Sequence, residues 1–268
     1  MTTDQLEGRW ALILGASSGF GAAAARALAE AGMNIFGVHL DPGSRRARAD
    51  DVIADIEASG AKAVFFNTNA ASERRRARVL DKIQETLADG PEETIHFMLH
   101  SLAFGSLLPF IAHNPDDEVD ESGMEMTLKV MAHTLVYWVQ DLVHRNLLGD
   151  GSRVYALSSG GAERMAPNYG AVSAAKAALE SHMRQLTLEL GPHAISVNCL
   201  RPGVTDTPAL RAIPGHETYI EEALKRNPRG RLTTPEHVAK TLVALADPDI
   251  TWISGAVIPV DAGESIVG

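Results

Sequence analysis

The chain has 268 residues, 24 of them Lys or Arg and 34 Asp or Glu, giving a formal net charge of −10. Affinity for phosphate backbones comes mainly from clustered Lys and Arg, and the basic runs here (Arg45-Arg46, Arg74-Arg75-Arg76) are short and flanked by acids, which argues against nucleic acid as a partner. Apolar residues at 45% and charged ones at 22% suit a globular chain rather than a disordered one, and a single cysteine, Cys199, excludes an intrachain disulfide and any multi-cysteine metal site.

The N-terminal stretch has no basic start followed by an apolar run, and no segment approaches the roughly 20 apolar residues of a membrane span. The expectation is a cytoplasmic protein with no membrane partner. In chain order, Trp10 to Leu14 is a compact apolar run ending at glycine, and the Ala-rich stretch Gly21 to Ala31 follows as a helix. Asn34 to Leu40 reads as a second strand and Asp50 to Ser59 as a second helix. Ala63 to Phe66 and Thr94 to Leu99 read as strands three and four, separated by an Arg-rich helix. Arg153 to Leu157 and Ile195 to Leu200 are further strands around a long helix from Ala171 to Leu190. Glu236 to Ala246 is helical, and Ala256 to Val260 is the last strand. Strands alternating with helices predict right-handed βαβ units, and so an α/β fold: one doubly wound, Rossmann-like domain, its parallel sheet covered by helices on both faces.

Neither a repeat nor a composition break divides residues 1–268, so one domain is expected. Two segments depart from the alternation. Phe104 to Gly123 carries two prolines and the charged cluster Asp116 to Glu121, which suits a surface insertion as well as a functional loop. Pro208 to Pro228 follows a strand end, where open α/β sheets bind ligands, and predicts a mobile lid over 208–227.

The run Leu12-Ile-Leu-Gly15-Ala-Ser17-Ser18-Gly19-Phe20-Gly21 begins in a strand and ends in a helix. Glycines there let the backbone turn tightly against a pyrophosphate, which the unpaired N–H groups and positive dipole end of the helix attract. The spacing is Gly-x3-Gly-x-Gly, and its place after the first strand is what makes it specific. At the end of strand two an acidic residue would hold the adenosine ribose and repel a 2′-phosphate; the residue is His39, with Arg45, Arg46 and Arg48 close behind. NADP(H) is therefore preferred, while Asp41 keeps NAD(H) open.

The sharpest signal is Ser158-Ser159-Gly-Gly-Ala-Glu-Arg-Met-Ala-Pro-Asn-Tyr169, followed seven residues later by Lys176. A strand ends in serines, a glycine-rich turn follows, and the two side chains open a helix. If both were helical they would share a face about 10 Å apart along the axis, bordering one ligand from two places. A nearby ammonium favours phenolate and sharpens the hydroxyl as a proton donor. By themselves a Tyr and a Lys in a helix are more often a half-buried aromatic and a surface cation; the turn before them favours catalysis. Ten histidines are present, but no His-x3-His pair sits on a predicted helix beside a carboxylate, so no metal site is expected.

Together with Arg201-Pro-Gly-Val-Thr205-Asp-Thr207 and the ending Trp252-Ile-Ser-Gly-Ala-Val-Ile-Pro-Val-Asp-Ala-Gly263, these motifs resemble the short-chain dehydrogenase/reductase family over essentially the whole chain. The family's usual tyrosine, four residues before the lysine, is replaced by Val172; its helix asparagine is missing near Leu128 to Val130; and its Asn-Asn-Ala-Gly run is replaced by His100-Ser101-Leu102-Ala103-Phe-Gly105. These departures resemble the enoyl-acyl-carrier-protein reductase branch, which uses Tyr-x6-Lys, although Ser159 stands where many of its members have an outer tyrosine. The resemblance implies hydride transfer from NAD(P)H to an enoyl thioester carried by acyl carrier protein or CoA, as in fatty-acid synthesis. Tyr169 would hydrogen-bond the developing oxyanion, Lys176 would hold the nicotinamide ribose, and Ser159 would position the carbonyl or cap the strand end. Ser101, Leu102 and Ala103 would border the cofactor, Asn69 with Ala70 the adenine, and Thr205 and Thr207 the carboxamide and pyrophosphate. The resemblance also implies a homotetramer. The competing expectations are a carbonyl or alcohol oxidoreductase, such as a 3-ketoacyl thioester reductase, and a dinucleotide-binding sensor without turnover.

Overall fold

Strand β1 (Trp10–Leu14) is buried along its whole length, as five consecutive apolar residues require. A computed structural model of the chain describes residues 5–43, 46–90 and 92–267. In it β1 pairs in parallel with β2 (Asn34–His39) on one side and β4 (Ile95–His100) on the other. β3 (Ala63–Asn67) continues beyond β2, and β5 (Arg153–Leu157), β6 (Ser196–Pro202) and β7 (Val257–Val260) continue beyond β4. The order β3-β2-β1-β4-β5-β6-β7 reverses direction between β1 and β4, so a crevice opens at the carboxyl ends of those two strands.

Alternate residues of each strand feed two separate cores. Leu12, Leu14, Phe36 and Val38 pack on one face with α3 (Glu73–Ala88), α5 (Thr134–His144) and α6 (Gly170–Leu190). Ala11, Ile13, Ile35 and Phe97 pack on the other with α1 (Gly19–Glu30), α2 (Arg46–Ala58) and α9 (Pro235–Leu245). The fold is thus the expected doubly wound, Rossmann-like α/β domain. α1 buries mainly alanines, which lets it approach the sheet closely.

β1 and β5 fall at the bounds expected from sequence, whereas α1 begins at Gly19 because Ser18 is still extended, and α2 begins at Arg46 rather than Asp50. The 104–123 segment holds a short 3₁₀ turn at Pro115–Asp117, capped by Asn114, and the start of α4 (Glu121–Leu128), capped by Asp120. A π turn at Lys129–His133 joins α4 to α5, and the Thr134 hydroxyl donates to the Lys129 carbonyl five residues back at 2.6 Å. This helical run is absent from the strand–helix alternation read in sequence. The 208–228 segment forms α7 (Pro208–Arg211) and α8 (His216–Arg226). Among the described residues no helix is long and apolar enough to cross a membrane, and no group of three or more His, Cys, Asp or Glu side chains is placed to hold a metal ion.

Candidate active site

The turn between β1 and α1 needs its glycines. Gly15 has φ +91°, and a Cβ there would lie 2.4 Å from the Ser101 carbonyl oxygen. At Gly21 a Cβ would lie 2.0 Å from the Gly15 carbonyl oxygen. Ser101 N–H donates to the Leu14 carbonyl at 2.9 Å, so the end of β4 is fastened directly to this turn. Ser18 makes no side-chain cap to α1, and no acidic residue occupies the first helical turn. The amides at that helix start are therefore left for an anion, and the cradle fits a dinucleotide pyrophosphate. Ser17 is buried beside the turn, Phe20 packs into the core on the α1 face, Leu102 packs into the opposite core, and Ala103 is exposed.

At the end of β2, His39 Nδ1 lies 2.8 Å from Asp41 Oδ2, and both side chains are buried. Asp41 also exchanges two bonds with Asn67: its N–H donates to Asn67 Oδ1 at 3.1 Å, and Asn67 Nδ2 donates to its carbonyl at 3.0 Å. A cleft lined by Leu40, Asp41, Pro42, Gly43 and Asn67 opens here, where the adenosine end is expected. Arg45 lies outside the described residues; Arg48 is exposed on α2. Asn69 is exposed and accepts from Ala71 N–H, while Ala70 is buried and its carbonyl accepts from the Trp138 indole at 3.0 Å. Ala70 is thus pinned from beneath by α5, a contact its sequence neighbours do not reveal.

β5 ends at the expected serines. Ser159 Oγ accepts from Gly161 N–H at 3.1 Å and from the Tyr169 hydroxyl at 3.5 Å, so the strand-end cap and the site contact are the same side chain. Tyr169 itself is the N-cap of α6, with φ −105° and ψ 2°, one residue before the helix. Its ring packs against Gly161, where a Cβ would come within 2.4 Å of ring atom Cε1. Lys176 is one and a half helical turns inside α6. It is 6% exposed, and its ammonium donates to the Leu157 carbonyl at 2.6 Å.

Burial holds the Lys176 ammonium down to about 8, against the opposing pull of Cys199 and Glu180. Burial pushes the Tyr169 phenol up, partly offset by the Ser159 bond, with Tyr219 pushing it further. The Lys176 ammonium is engaged by the Leu157 carbonyl, and the phenol by Ser159. Tyr169 is accordingly a neutral donor at physiological pH. His100, at the end of β4, is fully buried, and neither ring nitrogen has a hydrogen-bond partner. Burial and the Lys176 charge push it down to about 3, so it is neutral.

Three groups behind the site were not singled out as a unit by their spacing. Ser158 Oγ donates to Glu180 Oε1 at 2.5 Å, and Arg201 Nη2 donates to both Glu180 oxygens at 3.0 and 3.2 Å. The same nitrogen donates to Glu163 at 2.8 Å, tying the loop between Ser159 and Tyr169 to β6. A signal existed: Glu180 is an acid four residues after Lys176, on the buried face of α6. Thr205 is buried and donates to the Gly203 carbonyl; Thr207 is buried and caps α7 through Leu210 N–H. Phe104, Phe110, Ile111 and Met165 are all more than half exposed. Phe110 packs on Gly170 beside Tyr169, and the Tyr219 hydroxyl of α8 donates to the Pro167 carbonyl at 3.3 Å.

A family model described as enoyl-(acyl carrier protein) reductase matches residues 15–265. A cis-4-hydroxycyclohexanecarboxylate dehydrogenase of Sinomonas cyclohexanicum is 29% identical over 97% of both chains. An NADH-type enoyl-[acyl-carrier-protein] reductase, FabI, of Aquifex aeolicus is 29% identical over 65% of this chain and 64% of its own. The crystal structure of a dehydrogenase/reductase from Sinorhizobium meliloti superimposes with TM-score 0.82 at 26% identity, over 98% of each chain. Glycine cradle, buried lysine, N-cap tyrosine and whole-length match together place the chain in the short-chain dehydrogenase/reductase family, as an oxidoreductase of the NAD(P)(H)-binding type.

Proposed function

We propose that this chain reduces the 2,3 double bond of an enoyl thioester, with NADP(H) preferred. The observation that carries this reading is the placement of Tyr169: seven residues before Lys176, capping α6 and bonded to Ser159. The position four before the lysine is Val172, buried against Met131 and Ala175, so no second phenol competes there. When bound, the reduced nicotinamide supplies a hydride to C3 of the substrate. Negative charge then develops on the thioester oxygen, and a neutral phenol aimed at that oxygen stabilises it most in the transition state. The enolate takes a proton at C2 to complete the reduction. Lys176, protonated below about 8, holds positive charge at the ribose side of the site. Ser159 orients the phenol.

The exposed apolar side chains Phe104, Phe110, Ile111 and Met165 suit an acyl chain, which the 208–227 segment would cover as a lid that excludes water. The cofactor preference is supported by Asp41: its carboxylate is engaged by His39 and buried, so it is less available to hold a ribose 2′-hydroxyl. The carrier would be acyl carrier protein or CoA, the setting cytoplasmic fatty-acid synthesis, and the assembly a homotetramer. A second reading, reduction of a 3-ketoacyl thioester or other carbonyl, is favoured by the Ser159–Tyr169 pair, which can equally protonate a ketone oxygen, and by the dehydrogenase relative.

The deciding experiment incubates purified protein with crotonyl-CoA and with acetoacetyl-CoA, each with NADPH or NADH, and identifies the product by mass spectrometry. Butyryl-CoA formed faster with NADPH supports the proposal. Rapid reduction of acetoacetyl-CoA with crotonyl-CoA untouched would overturn it in favour of the carbonyl reading.

A further inference from the structure

The last turn of the chain sits between the two roots of the 203–227 segment. Glu264 opens a 3₁₀ turn, Glu264–Ile266, after Gly263 at φ +88°. Its side chain points inward and is 5% exposed. Both carboxylate oxygens accept from Val204 N–H, at 3.3 and 3.2 Å, two residues beyond the end of β6. Gly203 lies directly on this carboxylate: a Cβ there would come within 2.8 Å of Glu264 Oε2 and 2.5 Å of Thr233 Oγ1.

At the other root Asn227 closes α8 and is 4% exposed. Its Nδ2 donates to the Asp261 carbonyl at 3.1 Å, and its Oδ1 accepts from Arg229 N–H at 2.9 Å. Asp261 in turn accepts from Gly263 and Ser265 N–H, shaping the turn that carries Glu264. Burial raises the Glu264 carboxyl, while the Val204 amide, the Arg226 guanidinium and Asn227 favour its charge. The Ser265 carbonyl accepts from Arg164, in the loop between Ser159 and Tyr169.

A buried carboxylate is costly unless its neighbours need it. Neither core of the sheet uses this one, and nothing in the hydride or proton chemistry does. What it bonds is the hinge. We propose that the buried turn 261–264 holds both roots of the lid, Glu264 at Val204 and Asp261 at Asn227, and that Glu264 is a positioning residue there that governs acyl-substrate affinity rather than the chemical step. This rests on the enoyl-thioester reading for its substrate and on 208–227 being the lid.

The test compares full-length wild type, E264A and E264Q. Losing a charge-assisted hydrogen bond at the hinge should raise the KM for crotonyl-CoA by about tenfold in E264A and speed tryptic cleavage after Arg211 by a similar factor. Saturating kcat should stay within about twofold, because neither the Tyr169 phenol nor the Lys176 ammonium bonds Glu264. In E264Q the amide oxygen still accepts from Val204, so KM and cleavage should return most of the way. Unchanged KM and cleavage in E264A would overturn the proposal. So would parallel losses in KM, kcat and Tm, or an E264Q no better than E264A. Should E264A fail to fold, E264D keeps the charge, shortens the reach and carries the same comparison with E264Q. If wild type does not reduce crotonyl-CoA, the substrate reading fails, and the proteolysis arm decides the hinge by itself.

Discussion

The dinucleotide side of this crevice and its proposed substrate side are built in different ways. On the dinucleotide side, backbone meets backbone: Gly15 against the Ser101 carbonyl, Gly21 against the Gly15 carbonyl, Ser101 N–H on Leu14. On the substrate side, side chains reach across loops: Arg201 to Glu163 and Glu180, Tyr219 to Pro167, Glu264 to Val204. Contacts of the first kind tolerate no added atom, because bonded backbone has no rotamer with which to yield. Contacts of the second kind can be lost singly, leaving the sheet intact. The molecule thus pairs a rigid glycine cradle with a more adjustable wall on the proposed substrate side.

The sharpest way to break this contrast is Gly15→Val. The new side chain would meet Ser101 and face a left-handed φ, and we expect NADPH affinity to fall by about 100-fold or more, measured by cofactor fluorescence titration. Normal binding would show that the cradle is softer than described. Tyr169→Phe comes next. It removes one hydroxyl from the substrate side, so kcat should drop by about 10²-fold while NADPH affinity holds, checked by steady-state kinetics beside the same titration.

Arg201→Met leaves Glu180 buried without its cation. Urea unfolding should show a loss of about 3 kcal/mol, with the cofactor Kd little changed because the cradle lies on other strands. The smallest effect is on pH. Lys176 is held below the usual lysine range at about 8, so it is charged below that pH and loses its proton above it. The reductive rate should therefore decline as pH rises through about 8, and a kcat/KM profile that stays flat to pH 10 would remove the lysine charge from the mechanism.

Legibility followed the same division. Trp10 to Leu14 and Arg153 to Leu157 are bounded as expected because the first is a continuous apolar run and the second is one after its opening arginine, each next to turn residues, the pattern of a strand buried on both faces. The helical run from Glu121 to His144 is not, since its π turn and its cap at Asp120 depend on local side-chain bonds that hydrophobic periodicity does not register. Spacing found Tyr169 and Lys176 and put them on one face only on condition that both are helical. The phenol instead caps the helix, and the ammonium turns to Leu157, 19 residues back in the chain.

What the amino-acid sequence determined by itself was local: where strands run, where glycine is compelled, and which phenol and amine share the start of one helix. Those features follow from neighbours a few residues apart, so their physics is written in adjacent letters. Only the tertiary structure decided which partners meet: the Glu180–Arg201 pair joins residues 21 apart, and Val204 meets Glu264 across 60. Such contacts exist because the sheet order brings distant strand ends to one edge, and a buried charge there takes whichever donor the fold supplies.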